Sequence, residues 1–347
     1  MEARRYHSGF DGERMQDRAD GLDQIPSMSD PNVKVPCEQL MVKRFRRSAA
    51  GYDEQLPSDI RPPAVLQQTL NYLFNDVVGG TQPLATVHKF VWDRTRGIRN
   101  DFSIQQVTRT EDLKIAIDCF ERIARFHILS LHQLSRLQSE NGEFDAHQER
   151  EQLNNTLLSL MYYYDDSRHK LTSPNEAEFR AYCIVFEIQD LRPDLEDRAQ
   201  SWPRPILKDP RVQTAFKLYA AAANTSDDQG PLRPKTQFLT AQANTRGFWN
   251  LVQSNTSSYL MACVAEIYFN LVRRTALEAI WKAYKGKRGG PTKMEDWTLK
   301  DLTPALGFDT EEQTETFCKE HEFEIAENEN GEAFIDLGSV VTGNLTG

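Results

Sequence analysis

The chain has 347 residues, 39% hydrophobic and 27% charged, with a formal net charge of −10, the proportions of a soluble globular protein with a sizeable core. No run of 18 uncharged apolar residues exists, since the nearest, Tyr259–Val272, is broken by Glu266 and Asn270, so no transmembrane helix and no membrane partner are expected. Met1-Glu2-Ala3-Arg4-Arg5 lacks the apolar core of a signal peptide, and five widely spaced cysteines show no ligand spacing and read as free thiols.

Residues 1–60 have little periodicity and many charges, with Gly, Pro and Asp scattered among them. They read as an extended arm, partly disordered when free. Pro62-Pro63 then opens a helix. Helical patterns follow over 63–76, 83–105, 110–139, 147–164, 174–190, 209–224, 236–253 and 256–285. Thr110-Glu111-Asp112 supplies a cap and two acids for a first turn. Consecutive helix pairs with short loops predict a tetratricopeptide-like solenoid, although no strict repeat of about 34 residues is present.

After the last long helix the texture changes. Trp297–Gly307 reads as a short helix closed by glycine, and Asp309–Lys319 as another. Phe323-Glu324-Ile325 and Ala333–Leu337 alternate around Asn330-Gly331, a strong hairpin signal. Helix, helix, helix, hairpin is the order of a winged helix. The expected fold is therefore mainly α: a helical solenoid over 61–255, then a long helix plus winged helix over 256–343. The aromatic and aliphatic density of Tyr259–Trp281 predicts an apolar patch that a partner covers.

The net charge hides an asymmetry. From Glu295 to Asp336 there are 14 acidic residues and two lysines, a balance of −12 that leaves the remaining chain at +2. Basic character gathers in three places. Lys43, Arg44, Arg46 and Arg47 flank Phe45 in the arm. That cluster is either solvated and import-like, or a dock for single-stranded RNA with Phe45 stacking. Lys285, Lys287, Arg288 and Lys293 lie in a Gly-rich segment after a helix end, extended by Arg273 and Arg274. They suit either a helix C-terminus or, the reading favoured here, a phosphate-binding loop. The presumed recognition helix, with Glu312 and Glu315, is acidic. It suits protein contacts better than sequence-specific major-groove readout.

The third basic place is Phe90-Val-Trp92-Asp93-Arg94-Thr95-Arg96-Gly97-Ile98-Arg99-Asn100-Asp101-Phe102. Leu84, Val87, Val91, Thr95, Ile98 and Phe102 form a buried stripe. Arg94, Arg96 and Arg99 then project from the other sides, beside Trp92, and Asp93 is placed to pair with Arg96 one turn on. These arginines either pair with acids of neighbouring helices or meet a partner.

Phe90–Phe102 resembles the hallmark helix of the Sac-three/GANP family. Leu56–Leu73, "LPSDIRPPAVLQQTLNYL", and Cys119–Leu134, "CFERIARFHILSLHQL", resemble it too, in the right order and spacing. The resemblance covers roughly residues 30–340. Members usually carry a Cys-rich segment upstream, of which only Pro36-Cys37-Glu38 is similar. The resemblance implies a non-enzymatic scaffold of a nuclear mRNA-export complex, acting in the nucleus and at the periphery of its pores. The implied partners are a PCI-domain subunit packed against the winged helix with a small acidic polypeptide, RNA or DNA bound without sequence preference, and a DEAD-box RNA helicase. Mediator and the nuclear pore are further partners of the family, whose pore-anchoring regions normally lie outside a middle region of this size.

Three rivals remain at this level. One is a PCI scaffold of a proteasome-lid, signalosome or initiation complex, and another is a stand-alone RNA-binding protein. The third, an enzyme, finds no support. No phosphate-binding Gly-rich loop, metalloprotease motif or nucleophile elbow is present. The seven histidines are scattered: His127 and His132 fall on different faces, and His88 reads as a core residue. No cofactor and no metal are implied.

Overall fold

The computed structural model describes residues 24–27, 32–37, 40–45, 57, 60–135, 144–188, 195–223, 244–285 and 296–339. The described residues are mainly helical with two small antiparallel strand pairs, and the chain divides into two compact units, Met1–Glu176 and Ala177–Gly347.

In the first unit, strands β1 (Gln24–Pro26) and β2 (Lys34–Pro36) pair with Ile25 opposite Val35. Met41, Val42 and Lys43 then form part of an extended strap and are buried. Helix α1 (Pro63–Asn71) starts with Pro63 in its first turn and continues as a wider π-turn over Tyr72–Val78. Helix α2 (Leu84–Gln105) ends where Gln106 takes a left-handed conformation. In α3 (Thr110–Leu134) Arg109, not Thr110, is the N-cap, so the expected Thr110 cap is displaced by one residue. Glu111 and Asp112 still complement the helix dipole. Helix α4 (Ala146–Ser167) is capped by Asp145, which accepts from the His147 and Gln148 amides.

Helices α3 and α4 run antiparallel, since His127 meets Glu149 while Glu121 meets Tyr164. Their buried apolar faces, with Leu66, Leu70, Val91, Ile98 and Phe102 from α1 and α2, form the core of this unit.

The second unit carries α5 (Glu176–Phe186, beginning at the boundary), α6 (Leu195–Gln200), α7 (Arg204–Leu207), α8 (Pro210–Ala223) and α9 (Thr245–Val252). The continuous helix expected over 256–285 is instead two, α10 (Tyr259–Glu266) and α11 (Phe269–Lys285). At the break, Ile267 and Tyr268 bond back three residues, to Val264 and Ala265. Tyr268 is buried, with its hydroxyl donated to the Phe186 carbonyl. That anchor explains a break that residue periodicity does not reveal.

Helices α12 (Leu299–Leu306) and α13 (Glu311–Glu320) follow, then β3 (Glu324–Glu327) and β4 (Ala333–Asp336), with Ile325 opposite Ile335. Thr298 caps α12 in a reciprocal arrangement with Asp301. Gly307 ends α12 at φ +67°, and a Cβ there would stand 2.5 Å from the Trp249 ring, so only glycine fits. Leu277, Trp281, Leu302, Leu306, Phe317, Phe323 and Ile335 close one core beneath these helices and the hairpin. The order helix, helix, helix, hairpin is therefore present as expected.

Candidate partner and nucleic-acid surfaces

The strap of residues 40–45 crosses α2 at Gly97. A Cβ on Gly97 would lie 3.3 Å from the Lys43 carbonyl oxygen and 3.6 Å from the Phe45 nitrogen, so glycine lets the two backbones approach. Carboxylates hold the strap on either side. Asp93 Oδ2 accepts from the Phe45 amide at 3.2 Å. Asp101 is fully buried. It accepts from Lys43 Nζ at 2.7 Å and from Arg61 Nε at 2.8 Å. Gln105 Nε2 donates to the carbonyls of Arg61 and Asp101 at 2.8 and 2.9 Å, tying the start of α1 to the end of α2. Burial pulls the Arg61 guanidinium down, and Asp101 opposes that shift.

Two expectations are corrected here. Lys43 was grouped with the nucleic-acid-facing cations, but it is only 6% exposed and its ammonium neutralises Asp101. Arg94 was expected to project outward, but it is 2% exposed, pairs with Asp93 at 3.0 Å and lies over the Phe90 ring at 4.3 Å. Asp93 thus serves Arg94 and the strap amide, where Arg96 had been expected as its partner. Burial pushes the Asp93 carboxyl up, and Arg94 and the Phe45 amide oppose this.

Arg96 has a different setting. Its guanidinium lies 4.0 Å from the Phe45 ring centroid and 5.4 Å from that of Trp92, all three side chains being half-buried. Arg44 and Lys89 beside them are exposed. The structure therefore joins two expected sites, the arm cluster and the arginine helix, into one surface. Arg46 and Arg47 lie outside the described residues.

Arg99 turns toward α4, where its Nη2 donates to Gln152 Oε1 at 2.5 Å. Burial, with the Arg96 charge, pulls it down to about 10, and Glu149 opposes. Buried Glu149 accepts from His127 Nδ1 at 2.7 Å and bonds His88 Nε2 at 3.1 Å, which assigns the N–H of His127 to Nδ1. His127 is fully buried, its pKa lowered by desolvation against the attraction of Glu149. Burial raises the Glu149 carboxyl, but the two histidines outweigh it and the net shift is downward. His88 is packed between Phe126 and Phe144, at 5.7 and 5.1 Å. This cluster is internal and braces α2 against α3 and α4. Among the described residues no group of three or more His, Cys, Asp or Glu is placed to hold a metal.

In the second unit Arg273 is also corrected. Its Nε donates to the Leu306 carbonyl at 3.1 Å and its Nη2 to the Gly307 carbonyl at 2.9 Å, and it covers the Phe308 ring at 3.8 Å. It finishes the C-terminus of α12 and so is committed to the fold. Arg274 is half-buried. Lys285 is the last residue of α11, and Lys287, Arg288 and Lys293 lie outside the described residues. Glu312 is exposed, and Glu315 pairs with Lys319 at 2.6 Å. Of the residues expected to form an apolar patch, Met261, Val264, Tyr268, Val272, Leu277 and Trp281 are instead buried in the fold, and Tyr259 is exposed. An open groove of about 630 Å³, lined in part by Trp249, Ile280, Trp297, Pro304 and Phe308, runs between α9, α11 and α12.

Residues 13–327 match the model of the SAC3/GANP family. The chain belongs to this family. It is 42% identical over 302 residues to SAC3 family protein 1 of Schizosaccharomyces pombe, covering 86% of this chain and 28% of the relative. Protein xmas of Drosophila melanogaster is 28% identical over 299 residues, covering 84% and 13%. SAC3 family protein B of Arabidopsis thaliana is 28% identical over 295 residues, covering 83% and 16%. The chain thus spans less than a third of the length of these SAC3/GANP relatives.

Sequence reasoning missed the residues that seat the strap on this SAC3/GANP helix. Gly97, Asp101 and Arg61 all lie inside the quoted motifs, yet their common role appears only when the strap is in place. An acid one turn beyond a glycine, with a basic partner in the preceding motif, was the available signal. Lys89 gave none beyond its place three residues before Trp92.

Proposed function

We propose that this chain serves as a non-enzymatic scaffold in a nuclear mRNA-export complex. The observation that carries the reading is family membership over residues 13–327, joined to a helical build that ends in three helices and a hairpin. A PCI-domain subunit, with a small acidic polypeptide, takes the second unit. The apolar groove beside Trp297 and the exposed acids of α13 support this, because neither suits nucleic acid. RNA or DNA is met without sequence preference at the basic segments around Arg44 and Lys285–Lys293. A DEAD-box helicase is met through the first unit, and Mediator and the nuclear pore complete the set. The chain works in the nucleus and at the pore periphery.

The test is a pull-down with the full chain from nuclear extract, read by mass spectrometry and followed by reconstitution with the PCI subunit recovered. Recovery of a PCI subunit and a DEAD-box export helicase supports the reading. Recovery of proteasome-lid, signalosome or initiation subunits in their place overturns it.

A further inference from the structure

We propose that the outward face of α2, together with Arg44 and Phe45 of the strap, is a stacking platform for single-stranded RNA. This deepens the nucleic-acid part of the function proposed above and rests on it.

The helical period places positions 85, 89, 92, 96, 100 and 103 on one side of α2. They are Ala85, Lys89, Trp92, Arg96, Asn100 and Ser103, with no acid among them. This is the side opposite the buried Val87, Val91, Ile98 and Phe102. The strap brings Arg44 and Phe45 to its edge, where the Arg96 guanidinium lies against both the Phe45 and Trp92 rings. The neighbouring carboxylate, Asp93, bonds Arg94 and the Phe45 amide and also feels the charge of Arg44.

Arg44 and Lys89 are exposed cations, which suits an anion. Two half-exposed aromatic rings held by one guanidinium suit something flat and apolar as well. Single-stranded RNA supplies both, phosphates for Arg44 and Lys89 and unpaired bases for Trp92 and Phe45. A duplex hides its base faces, and an acidic peptide leaves the rings unused. The charge and the aromatics together therefore select the single strand. Stacking is indifferent to base identity, so recognition here is not sequence-specific.

The test is fluorescence anisotropy of the full chain with an unstructured RNA oligonucleotide and, separately, an RNA duplex, at two salt concentrations. Trp92→Ala should weaken the single strand about tenfold and leave duplex affinity unchanged, and Trp92→Phe should restore most of the loss. Arg44→Glu with Lys89→Glu should weaken both RNAs and flatten the salt dependence. Wild-type single-strand affinity in Trp92→Ala overturns the proposal. So does an equal loss for both RNAs accompanied by a lower melting temperature, which marks a structural role. If the variant with Lys285, Lys287, Arg288 and Lys293 all changed to Glu loses RNA while Trp92→Ala does not, the platform falls and nucleic-acid binding stands. If the wild-type chain binds neither RNA at low salt, both fall. If the charge reversals abolish only an acidic-peptide interaction, the surface is a protein site and the proposal is overturned.

Discussion

Lys43 Nζ lies 2.7 Å from Asp101 Oδ1 across 58 positions of sequence, and both side chains are buried. Asp101 also holds Arg61, so one carboxylate joins the strap, the start of α1 and the end of α2. Replacing Asp101 with Ala removes the carboxylate that two buried cations share. The expected cost is on the order of 3–5 kcal/mol. Urea denaturation measures it, and an unchanged midpoint would show that the strap contributes nothing to the unit.

Gly97→Ala is a gentler probe. Alanine favours a helix interior by roughly 0.5–1 kcal/mol over glycine. Against this, the new methyl meets the Lys43 carbonyl at 3.3 Å, which a small strap shift relieves. The expected net change is below about 1 kcal/mol. Gly97→Leu cannot be relieved this way and should expel the strap, seen as new protease cleavage on the amino-terminal side of α1. Equal protease resistance in both variants would refute the close passage.

The His127–Glu149 pair makes stability depend on pH. The folded His127 pKa lies below its ordinary 6.5, so the unfolded chain binds the extra proton first. Stability is therefore full above about pH 6.5 and falls as the pH drops below it. Glu149, shifted below its ordinary 4.5, adds a second loss at lower pH. His127→Asn keeps a donor for Glu149 and should flatten the profile between pH 7 and 5. Thermal melts across that range check this, and a parallel decline in the variant would discard the assignment.

Arg273→Ala should weaken the helix–hairpin core by about 1.5–3 kcal/mol, the usual worth of hydrogen bonds from a charged donor. RNA affinity measured well below the melting temperature should stay unchanged. Reduced RNA affinity with unaltered stability would return Arg273 to the basic strip.

Patterns that depend on neighbours in sequence were readable. The buried stripe of α2, the Gly307 stop and the Asn330–Gly331 turn, with Gly331 at φ +75°, follow from local geometry. What was hidden needs a second segment. Arg94 and Arg96 are two residues apart in one motif, yet one is sealed against Phe90 and the other lies against Phe45. Arg94 follows buried Val91 by three positions and precedes buried Ile98 by four, so the helical period itself turns it inward, whereas the contact of Arg96 with Phe45 needs the strap. Arg273 likewise looks like a member of a basic strip until Leu306 and Gly307 present their carbonyls to it. The break at Tyr268 depends on a carbonyl at Phe186, 82 positions earlier.

The distance in sequence between Lys43 and Asp101 also has a temporal meaning. The strap leaves the ribosome first, but its seat on α2 does not exist until 58 more residues are made. At about 5–20 residues per second that is a wait of roughly 3–12 s. Through that interval Met41, Val42 and the Lys43 ammonium have no burial site, and Phe45 has no Arg96 to rest on. A nascent chain paused before α2 emerges therefore offers a short apolar and basic segment to chaperones. The completed first unit withdraws it.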